Sequence, residues 1–513
     1  MAPGSTTRPH LRGTLGVVLE QIDLDVTALV LFVAAVWAVL VVVLKVVALG
    51  MIPANRRPAS GMAWLMAIYL TPFFGAIAFS MFGYTRLGRE RHRRQRTAFQ
   101  EIARHADGLT EPEAVETTAL LRTAVHLNRR LSGLPAQPGC SVELIEGYGE
   151  SIERMVEAVR EAREFVHVEF YITALDDVTA PLFDALEAAA QRGVAVRMLF
   201  DHLGSRGIPG YRDLLRRLES GPLQFRVMLP IQPLRGRYRR PDLRNHSKLL
   251  VVDDLVAFTG SQNLTEPGYN KPKNHRLGRE WVELMVRLEG PAVAALDAVF
   301  ASDWYVETDE MLDVSVPQKQ TVARSPGCVS DVTCQLVPSG PGFVAENNLR
   351  LFTTLIQSAS HRVSLTSPYF VPDESLLYAV TTAAMRGVEV ELFVSEVADQ
   401  FMVGHAQSSY YEALLEAGVR IHQYPAPAIL HAKHFSVDDT VAVIGSSNMD
   451  MRSFGLNYEV SLMMLGPAIV RRVREVEDHY REIGVELDLA TWNQRPMRRR
   501  YVDNVMRLTS SLQ

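Results

Sequence analysis

A spaced set of residue types occurs twice in this chain of 513 residues. Each copy has a histidine, a lysine two positions later, an aspartate five positions after that, and then a Gly-Ser-x-Asn sequence. The two copies are His246, Lys248, Asp253 and Gly260-Ser261-Gln262-Asn263, and His431, Lys433, Asp438 and Gly445-Ser446-Ser447-Asn448. Such a match is improbable once by chance and far less probable twice. The repeat therefore indicates a duplicated enzyme in which each half brings a histidine and a lysine to one anionic site.

These residue types suit chemistry at a phosphodiester, which is anionic and repels nucleophiles. Two lysines and two asparagine side chains can neutralise and bind its nonbridging oxygens. One imidazole can attack phosphorus and form a covalent phosphohistidine, while the other protonates the leaving alkoxide and then deprotonates the incoming alcohol. We therefore expect a catalytic set of two histidines and two lysines that needs no metal and no cofactor.

The local structure expected of each motif places its other members. In an extended strand residues i and i+2 project to one face, so the histidine and the lysine of each motif lie side by side. The Gly-Ser-x-Asn sequence ends the next strand, where small residues let a ligand approach and an asparagine amide can donate to phosphate oxygens. The predicted substrate-binding residues are Ser261, Asn263, Ser446 and Asn448.

Asp253 and Asp438 complete the repeat and are counted with the candidate catalytic residues. Their position weakens that assignment. Five positions beyond the lysine, each lies past the far end of the strand, where a carboxylate fixes a turn or pairs with a basic group. We therefore expect a structural role for both aspartates.

Beyond Glu111 the chain alternates predicted strands and helices, the pattern of an α/β fold. Residues 165–172 form a predicted strand, and a helical stretch then leads to a glycine and a second strand within 192–200. The second half repeats this order at 363–370 and 386–394.

The sequence predicts six segments. They are an N-terminal tail (1–25), a transmembrane hairpin (26–85), a basic juxtamembrane segment (86–118), a first catalytic domain (119–306), a polar linker (307–330) and a second catalytic domain (331–513).

The N-terminal region differs in class from the rest of the chain. Residues 26–44 carry no charged side chain and are long enough to cross a hydrocarbon core of about 30 Å as a helix. A second uncharged stretch, 58–85, contains Pro72 and Gly75, which membrane helices tolerate. A removable signal peptide is the alternative, but the first stretch is too long and its flank lacks a small-residue cleavage site.

Basic residues after the second stretch orient the predicted hairpin. Six arginines lie between Arg86 and Arg96, while Arg56 and Arg57 in the connecting loop weigh modestly the other way. The positive-inside rule keeps the arginine-rich flank, and with two spans the N-terminus as well, in the cytoplasm. The predicted location is the cell membrane, multi-pass, with a cytoplasmic catalytic domain.

Composition limits the class of partner. The formal net charge of −5 excludes a globally basic nucleic-acid binder. The three cysteines have no metal-ligand spacing and are expected to be reduced thiols. Nothing in the sequence predicts an oligomeric state.

At the repeated motifs the chain resembles the phospholipase D superfamily, whose repeat is His-x-Lys-x4-Asp-x6-Gly-Ser-x-Asn. The resemblance narrows to the bacterial cardiolipin synthases of that superfamily. The segments that are similar to those enzymes are residues 444–460, Pro368-Tyr369-Phe370-Val371-Pro372, the paired N-terminal spans and the region around Trp492. The similarity covers nearly everything from Val26 onward.

The resemblance implies an α/β fold of two similar phospholipase D-type sandwich domains, related by a pseudo-twofold axis, with the active site between them. It also implies His246 as nucleophile and His431 as general acid and base, or the reverse. Glu459 matches the acidic residue that orients a catalytic histidine in the family, and Glu283 is its counterpart in the first half. The family more often has aspartate there, so an exposed structural glutamate is the alternative for Glu283.

The expected function is that of a membrane phosphatidyltransferase that condenses two phosphatidylglycerol molecules into cardiolipin and glycerol. The expected partners are anionic phospholipids and the membrane, without nucleic acid. Water as acceptor would instead give a phospholipase D that makes phosphatidic acid, although the membrane hairpin favours a lipid acceptor. A superfamily nuclease is a weaker alternative, because the chain lacks basic stretches interleaved with aromatic residues.

Overall fold

A computed structural model describes residues 11–54, 58–83, 91, 93–95, 97–98, 119–231, 242–313, 327–343 and 346–510. The chain forms two compact units, Met1–Thr85 and Arg86–Gln513. Several predicted features lie partly outside the described residues. They are the start of the predicted tail (1–10), Arg56 and Arg57 of the connecting loop, most of the basic juxtamembrane segment with Arg86, Arg89 and Arg96, and most of the predicted linker (314–326).

The first unit is helical. Its elements are the α-helices Leu11–Met51, Pro58–Leu70 and Pro72–Ala78 and the π-helix Phe79–Gly83. Among the described residues one helical segment, Thr27–Met51, is long and apolar enough to cross a membrane. The second predicted span is divided at Thr71, whose backbone is not helical, because the ring of the following Pro72 disfavours a helical residue before it.

The second unit contains α-helices and strands in alternation, as the sequence predicts. Its helices are Ala119–Ser132, Tyr148–Glu161, Ala180–Gln191, His202–Arg206, Tyr211–Ser220, Pro272–Leu277, Val293–Thr308, Asn347–Ser358, Glu374–Met385, Phe401–Ser408, Tyr411–Glu416, Met451–Gly455, Pro467–Ile483, Leu489–Asn493 and Met497–Arg507.

The strands of this unit include those predicted from the sequence. They are β1 Gln137–Ile145, β2 Phe165–Phe170, β3 Ala195–Asp201, β4 Gln224–Met228, β5 Lys248–Val252, β6 Val256–Gly260, β7 Trp281–Val282, β8 Met285–Glu289, β9 Val329–Ser339, β10 Arg362–Thr366, β11 Phe370–Val371, β12 Glu389–Ser395, β13 Arg420–Tyr424, β14 Ile429–Leu430, β15 His434–Val437, β16 Val441–Gly445, β17 Met449–Asp450, β18 Glu459–Leu465 and β19 Val485–Glu486.

Fifteen of these strands form one sheet that runs through both halves of the unit. Its order is β19-β13-β12-β10-β15-β16-β18-β9-β1-β8-β6-β5-β2-β3-β4. From the central antiparallel pair β1 and β9, the two halves continue outward in equivalent order. The second half reads β9-β18-β16-β15-β10-β12-β13, and the first reads β1-β8-β6-β5-β2-β3-β4.

Strands β5, β16 and β18 are buried on both faces, which explains why they read as nearly continuous apolar runs. In β5, Leu249 and Val251 pack into a central core with the helices Val293–Thr308 and Pro467–Ile483. Leu250 and Val252 pack on the opposite face, in the outer core of the first half. The period-two alternation of side chains along a strand produces this division.

Candidate active site

His246 and His431 line one cleft of about 670 Å³. Each histidine lies just before a central strand of its own half, His246 before β5 and His431 before β15. The two motifs, which are far apart in sequence, therefore meet at one site as the duplication predicts.

Backbone hydrogen bonds hold each histidine against a segment of the opposite half. The His246 N–H donates to the Tyr458 carbonyl at 2.8 Å, and the His431 N–H donates to the Val282 carbonyl at 2.7 Å. The acceptor in each case is the residue that immediately precedes a glutamate, Glu459 or Glu283. This crossing brings each glutamate to the histidine of the other half.

The glutamates contact the imidazole rings directly. Glu459 lies 3.0 and 3.1 Å from His246 Nδ1, and Glu283 lies 2.7 Å from His431 Nδ1. Both glutamates are buried, so Glu283 is not an exposed structural residue. A neutral imidazole that donates from Nδ1 keeps its lone pair at Nε2, the atom needed for nucleophilic attack or proton transfer.

The motif lysines are buried, and each is held by a hydrogen bond to the histidine of its own motif. Lys248 Nζ donates to the His246 carbonyl at 2.6 Å, and Lys433 Nζ donates to the His431 carbonyl at 2.6 Å. Burial and the neighbouring Lys433 charge hold the pKa of Lys248 well below its usual range. Burial likewise lowers the pKa of Lys433, to about 8. A bound anionic ligand would offset the free-energy cost of burying both ammonium groups and would raise their pKa values.

The two histidine–glutamate pairs differ in electrostatics. Burial, Lys248 and Lys433 hold the pKa of His246 well below its ordinary value. Burial also lowers the pKa of His431, although Glu283 opposes that shift. Among the glutamates, burial raises the pKa of Glu459 to about 7. Burial acts in the same direction on Glu283, but His431 and Lys433 outweigh it and the pKa of Glu283 is lowered.

The glycines of the motifs permit this packing. A Cβ on Gly445 would lie 2.3 Å from the Val460 carbonyl oxygen, and one on Gly260 would lie 2.4 Å from that of Leu284. Val460 directly follows Glu459 in the chain, and Leu284 directly follows Glu283. The absence of a side chain at each glycine therefore lets the segment that carries the glutamate pack closely against the end of the motif strand.

Ser261 and Ser446 do not face the cleft as expected for substrate-binding residues. Both side chains are fully buried. Ser446 Oγ donates to Glu459 Oε2 at 2.5 Å, and Ser261 Oγ accepts from the Leu284 N–H at 2.9 Å. We therefore correct their assignment: the serines hold the glutamates and their strands in position.

Asp253 and Asp438 lie at the opposite ends of β5 and β15 from the histidines. The Asp253 carboxylate accepts the backbone N–H groups of residues 163–165 at 2.7 to 2.9 Å. Asp438 accepts those of residues 360–362 at 2.7 to 3.3 Å. Both aspartates therefore fix the chain where β2 and β10 begin, and we remove them from the candidate catalytic set.

The motif asparagines do reach the cleft. Asn263 Oδ1 accepts the Ile172 N–H at 3.2 Å, and its Nδ2 donates to the Tyr269 hydroxyl at 2.7 Å. Asn448 Oδ1 is buried without a hydrogen-bond partner among the described residues. Both side chains are thus placed where a bound group could contact them.

The cleft also contains aromatic residues that the motif analysis missed. The Tyr171 ring packs edge-on against His246, with ring centroids 4.9 Å apart, and Lys248 Nζ lies 5.6 Å from its centre. Tyr269 and Tyr369 line the same cleft. Tyr171 lies near the end of the predicted strand 165–172 and directly after the observed strand β2, a position that could have identified it.

No group of three or more His, Cys, Asp and Glu side chains within the described ranges could hold a metal ion. The positive charge beside the two histidines comes from Lys248 and Lys433.

Residues 155–304 and 352–480, more than half of the chain, match the family described as "Cardiolipin synthase, PLD-like domain". The chain belongs to this family. It is 32% identical over 471 residues to cardiolipin synthase A of Serratia proteamaculans. This alignment covers 91% of this chain and 95% of the relative. The corresponding protein of Yersinia pseudotuberculosis is 31% identical with the same coverage.

A solved structure shares the fold of this family member. The phosphatidylserine synthase of Haemophilus influenzae superposes with a TM-score of 0.57 over 77% of this chain and 100% of its own. At 15% sequence identity, this likeness supports the mixed α/β fold alone.

Proposed function

We propose that the enzyme transfers the phosphatidyl group of one phosphatidylglycerol molecule to a second one, which forms cardiolipin and releases glycerol. One observation carries the proposal: each histidine of the cleft is paired with a buried glutamate of the opposite half, next to two buried lysines. The relatives named cardiolipin synthase A support the lipid substrate. The substrates are thus anionic phospholipids drawn from the membrane.

In the first half-reaction His246 is the nucleophile. Glu459 accepts a hydrogen bond from Nδ1–H, which stays on the ring and lets the carboxylate stabilise the developing positive charge, and the Nε2 lone pair attacks phosphorus. The bond between phosphorus and the glycerol headgroup oxygen breaks as the bond to Nε2 forms. Protonated His431 donates its Nε2 proton to the departing oxygen, so glycerol leaves as a neutral alcohol.

The difference between the two pairs supports this order of roles. A pKa well below the ordinary value keeps His246 neutral near pH 7. The ionised carboxylate of Glu283 opposes the lowering of the His431 pKa. A bound phosphodiester adds a further negative charge beside His431 and favours its protonated form. His431 is therefore better suited to serve as the acid.

The second half-reaction reverses the proton transfer. His431, now neutral, takes the proton of a hydroxyl of the second phosphatidylglycerol. The resulting oxygen attacks phosphorus, the bond to His246 Nε2 breaks, and cardiolipin leaves. Lys248 and Lys433 stabilise the nonbridging oxygens in both steps, and the amides of Asn263 and Asn448 bind them.

The arrangement of the chain supports two further parts of the proposal. The equivalent strand orders on either side of β1 and β9 favour two domains related by a pseudo-twofold axis. The apolar segment Thr27–Met51 favours anchorage in the cell membrane. We propose that residues 58–85 return the chain through the membrane and that the catalytic unit works on the cytoplasmic side.

Expression in a host that lacks cardiolipin, followed by lipid extraction and mass analysis, tests the function. We expect cardiolipin from the wild type and none from the H246A variant. Phosphatidic acid as the sole product would identify water as the acceptor and would overturn the proposal.

A further inference from the structure

The cleft is lined by two carboxylates, Asp399 and Asp450, among its basic and polar residues. Asp450 has a role in the fold, because its side chain accepts the Ser453 N–H at 2.7 Å and caps the helix Met451–Gly455. Asp399 has no such backbone contact within the described part of the chain. A carboxylate repels the phosphate of the donor lipid, so its presence here calls for a different ligand group.

Tyr369 holds Asp399 in place. The Tyr369 hydroxyl lies 2.9 Å from both Asp399 oxygens, and Gln400 Nε2 donates to that hydroxyl at 3.0 Å. Within the described ranges no lysine or arginine forms an ion pair with Asp399. An ionised carboxylate has about four acceptor positions, so a single tyrosine leaves most of them available to a ligand.

Asp399 belongs to the same electrostatic site as the catalytic groups. Its charge acts to raise the pKa of Lys433, although burial of that lysine dominates. Burial and the charge of Glu283 raise the pKa of Tyr269, and the charge of Asp399 adds to this effect. Tyr269 belongs to the first half and lines the same cleft. The carboxylate therefore lines the cleft within electrostatic reach of Lys433 and Tyr269.

We propose that Asp399, positioned by Tyr369, binds the free hydroxyl groups of the acceptor headgroup. The inference rests on the proposed function and adds to it a subsite for a neutral vicinal diol, the headgroup of phosphatidylglycerol. Hydroxyl groups donate to a carboxylate, whereas a phosphodiester cannot. One hydroxyl bound to Asp399 leaves its neighbour free to give its proton to His431. The subsite thus favours an alcohol with two adjacent hydroxyl groups over a simple alcohol.

Competition between two small acceptors tests the subsite. The full-length enzyme in detergent micelles is given phosphatidylglycerol as donor and equal concentrations of 1,2-propanediol and 1-propanol. Mass analysis then gives the ratio of phosphatidylpropanediol to phosphatidylpropanol, which is internal to each reaction and independent of the amount of folded enzyme. We expect the wild type to favour the diol. We expect D399A and D399N to lower the ratio about tenfold or more, since the diol then loses a hydrogen bond to a charged group.

Two further variants complete the design. Y369F keeps the Asp399 carboxylate but removes the hydroxyl that holds it in position. We expect this variant to lower the ratio of diol to simple-alcohol product less than D399A does. The matched control D439N changes an exposed aspartate next to Asp438 and should keep the wild-type ratio.

The outcomes separate this inference from the proposed function. A wild-type ratio in D399A would overturn the subsite alone. If D399A and Y369F unfold at the wild-type temperature but consume no donor, even to phosphatidic acid, Asp399 acts in the first half-reaction and the acceptor assignment is wrong. If the wild type makes only phosphatidic acid with both alcohols present, the transferase function itself fails, and the subsite with it.

Discussion

His246 Nδ1 of the first half lies 3.0 Å from Glu459 Oε2 of the second half. The reverse pairing joins His431 and Glu283 across 2.7 Å. Each half therefore supplies the histidine of one pair and the carboxylate of the other. Neither half therefore contains a complete histidine–glutamate pair without the other.

Removal of either carboxylate should impair catalysis without unfolding the protein. A glutamine in E459Q or E283Q cannot stabilise an imidazolium ion and can hold the wrong tautomer. We expect the rate of cardiolipin formation to fall by about 10²-fold or more in each variant. The control E475Q alters an exposed glutamate and should retain the wild-type rate. Full activity in E459Q would contradict the proposed role of Glu459.

The pH dependence of kcat at saturating phosphatidylglycerol, where the bound phosphodiester favours protonated His431, should show a narrow maximum between about pH 7 and 8. As the pH rises through about 8, Lys433 loses its proton, because burial lowers its pKa to about that value. As the pH falls through about 7, Glu459 gains a proton, because burial raises its pKa to about 7. His246 remains neutral over this range. A rate that stays constant from pH 6 to pH 10 would be incompatible with these assignments.

Asp253 and Asp438 should matter for stability more than for chemistry. Each carboxylate accepts three backbone N–H groups, and hydrogen bonds to a charged group contribute about 1.5–3 kcal/mol. We expect D253A to lower the free energy of unfolding by about 2 kcal/mol, as measured by urea denaturation. The activity per folded molecule should stay close to that of the wild type. A folded D253A enzyme without activity would return Asp253 to the catalytic set.

Much of this site could be predicted from the sequence, because the motif residues repeat at fixed spacing. The same repetition places His246 and His431 in equivalent positions before β5 and β15. The sequence also supports the strands 165–172 and 386–394, since their apolar runs are bounded by glycine and polar residues. These signals are local along the chain.

The features that the sequence did not reveal depend on contacts between distant segments. Gly260 and Gly445 suggest room for a ligand, but the neighbouring strand occupies that space. Ser261 and Ser446 are polar residues beside a motif, yet they are buried against the strands that carry the glutamates. Asp399 lies in no repeated pattern, and only the fold brings it to the cleft.

The proposed topology can be tested at a single cysteine. Cys140 and Cys334 are fully buried, so Cys328, which is partly exposed, is the residue to follow. We expect a membrane-impermeant thiol reagent to label Cys328 after lysis but not in intact cells. C328S serves as the matched control for labelling elsewhere. Labelling of Cys328 in intact cells would place the catalytic unit outside and reverse the proposed orientation.

A rapid-quench experiment on the covalent intermediate tests the mechanism most directly. The wild-type enzyme is mixed with phosphatidylglycerol and quenched in base, where phosphohistidine is stable, and its peptides are mapped by mass spectrometry. We predict a phosphatidyl adduct on His246 within a single turnover and no adduct in the H246A variant. An adduct on His431 would reverse the two roles, and cardiolipin formation without any histidine adduct would contradict the phosphohistidine mechanism.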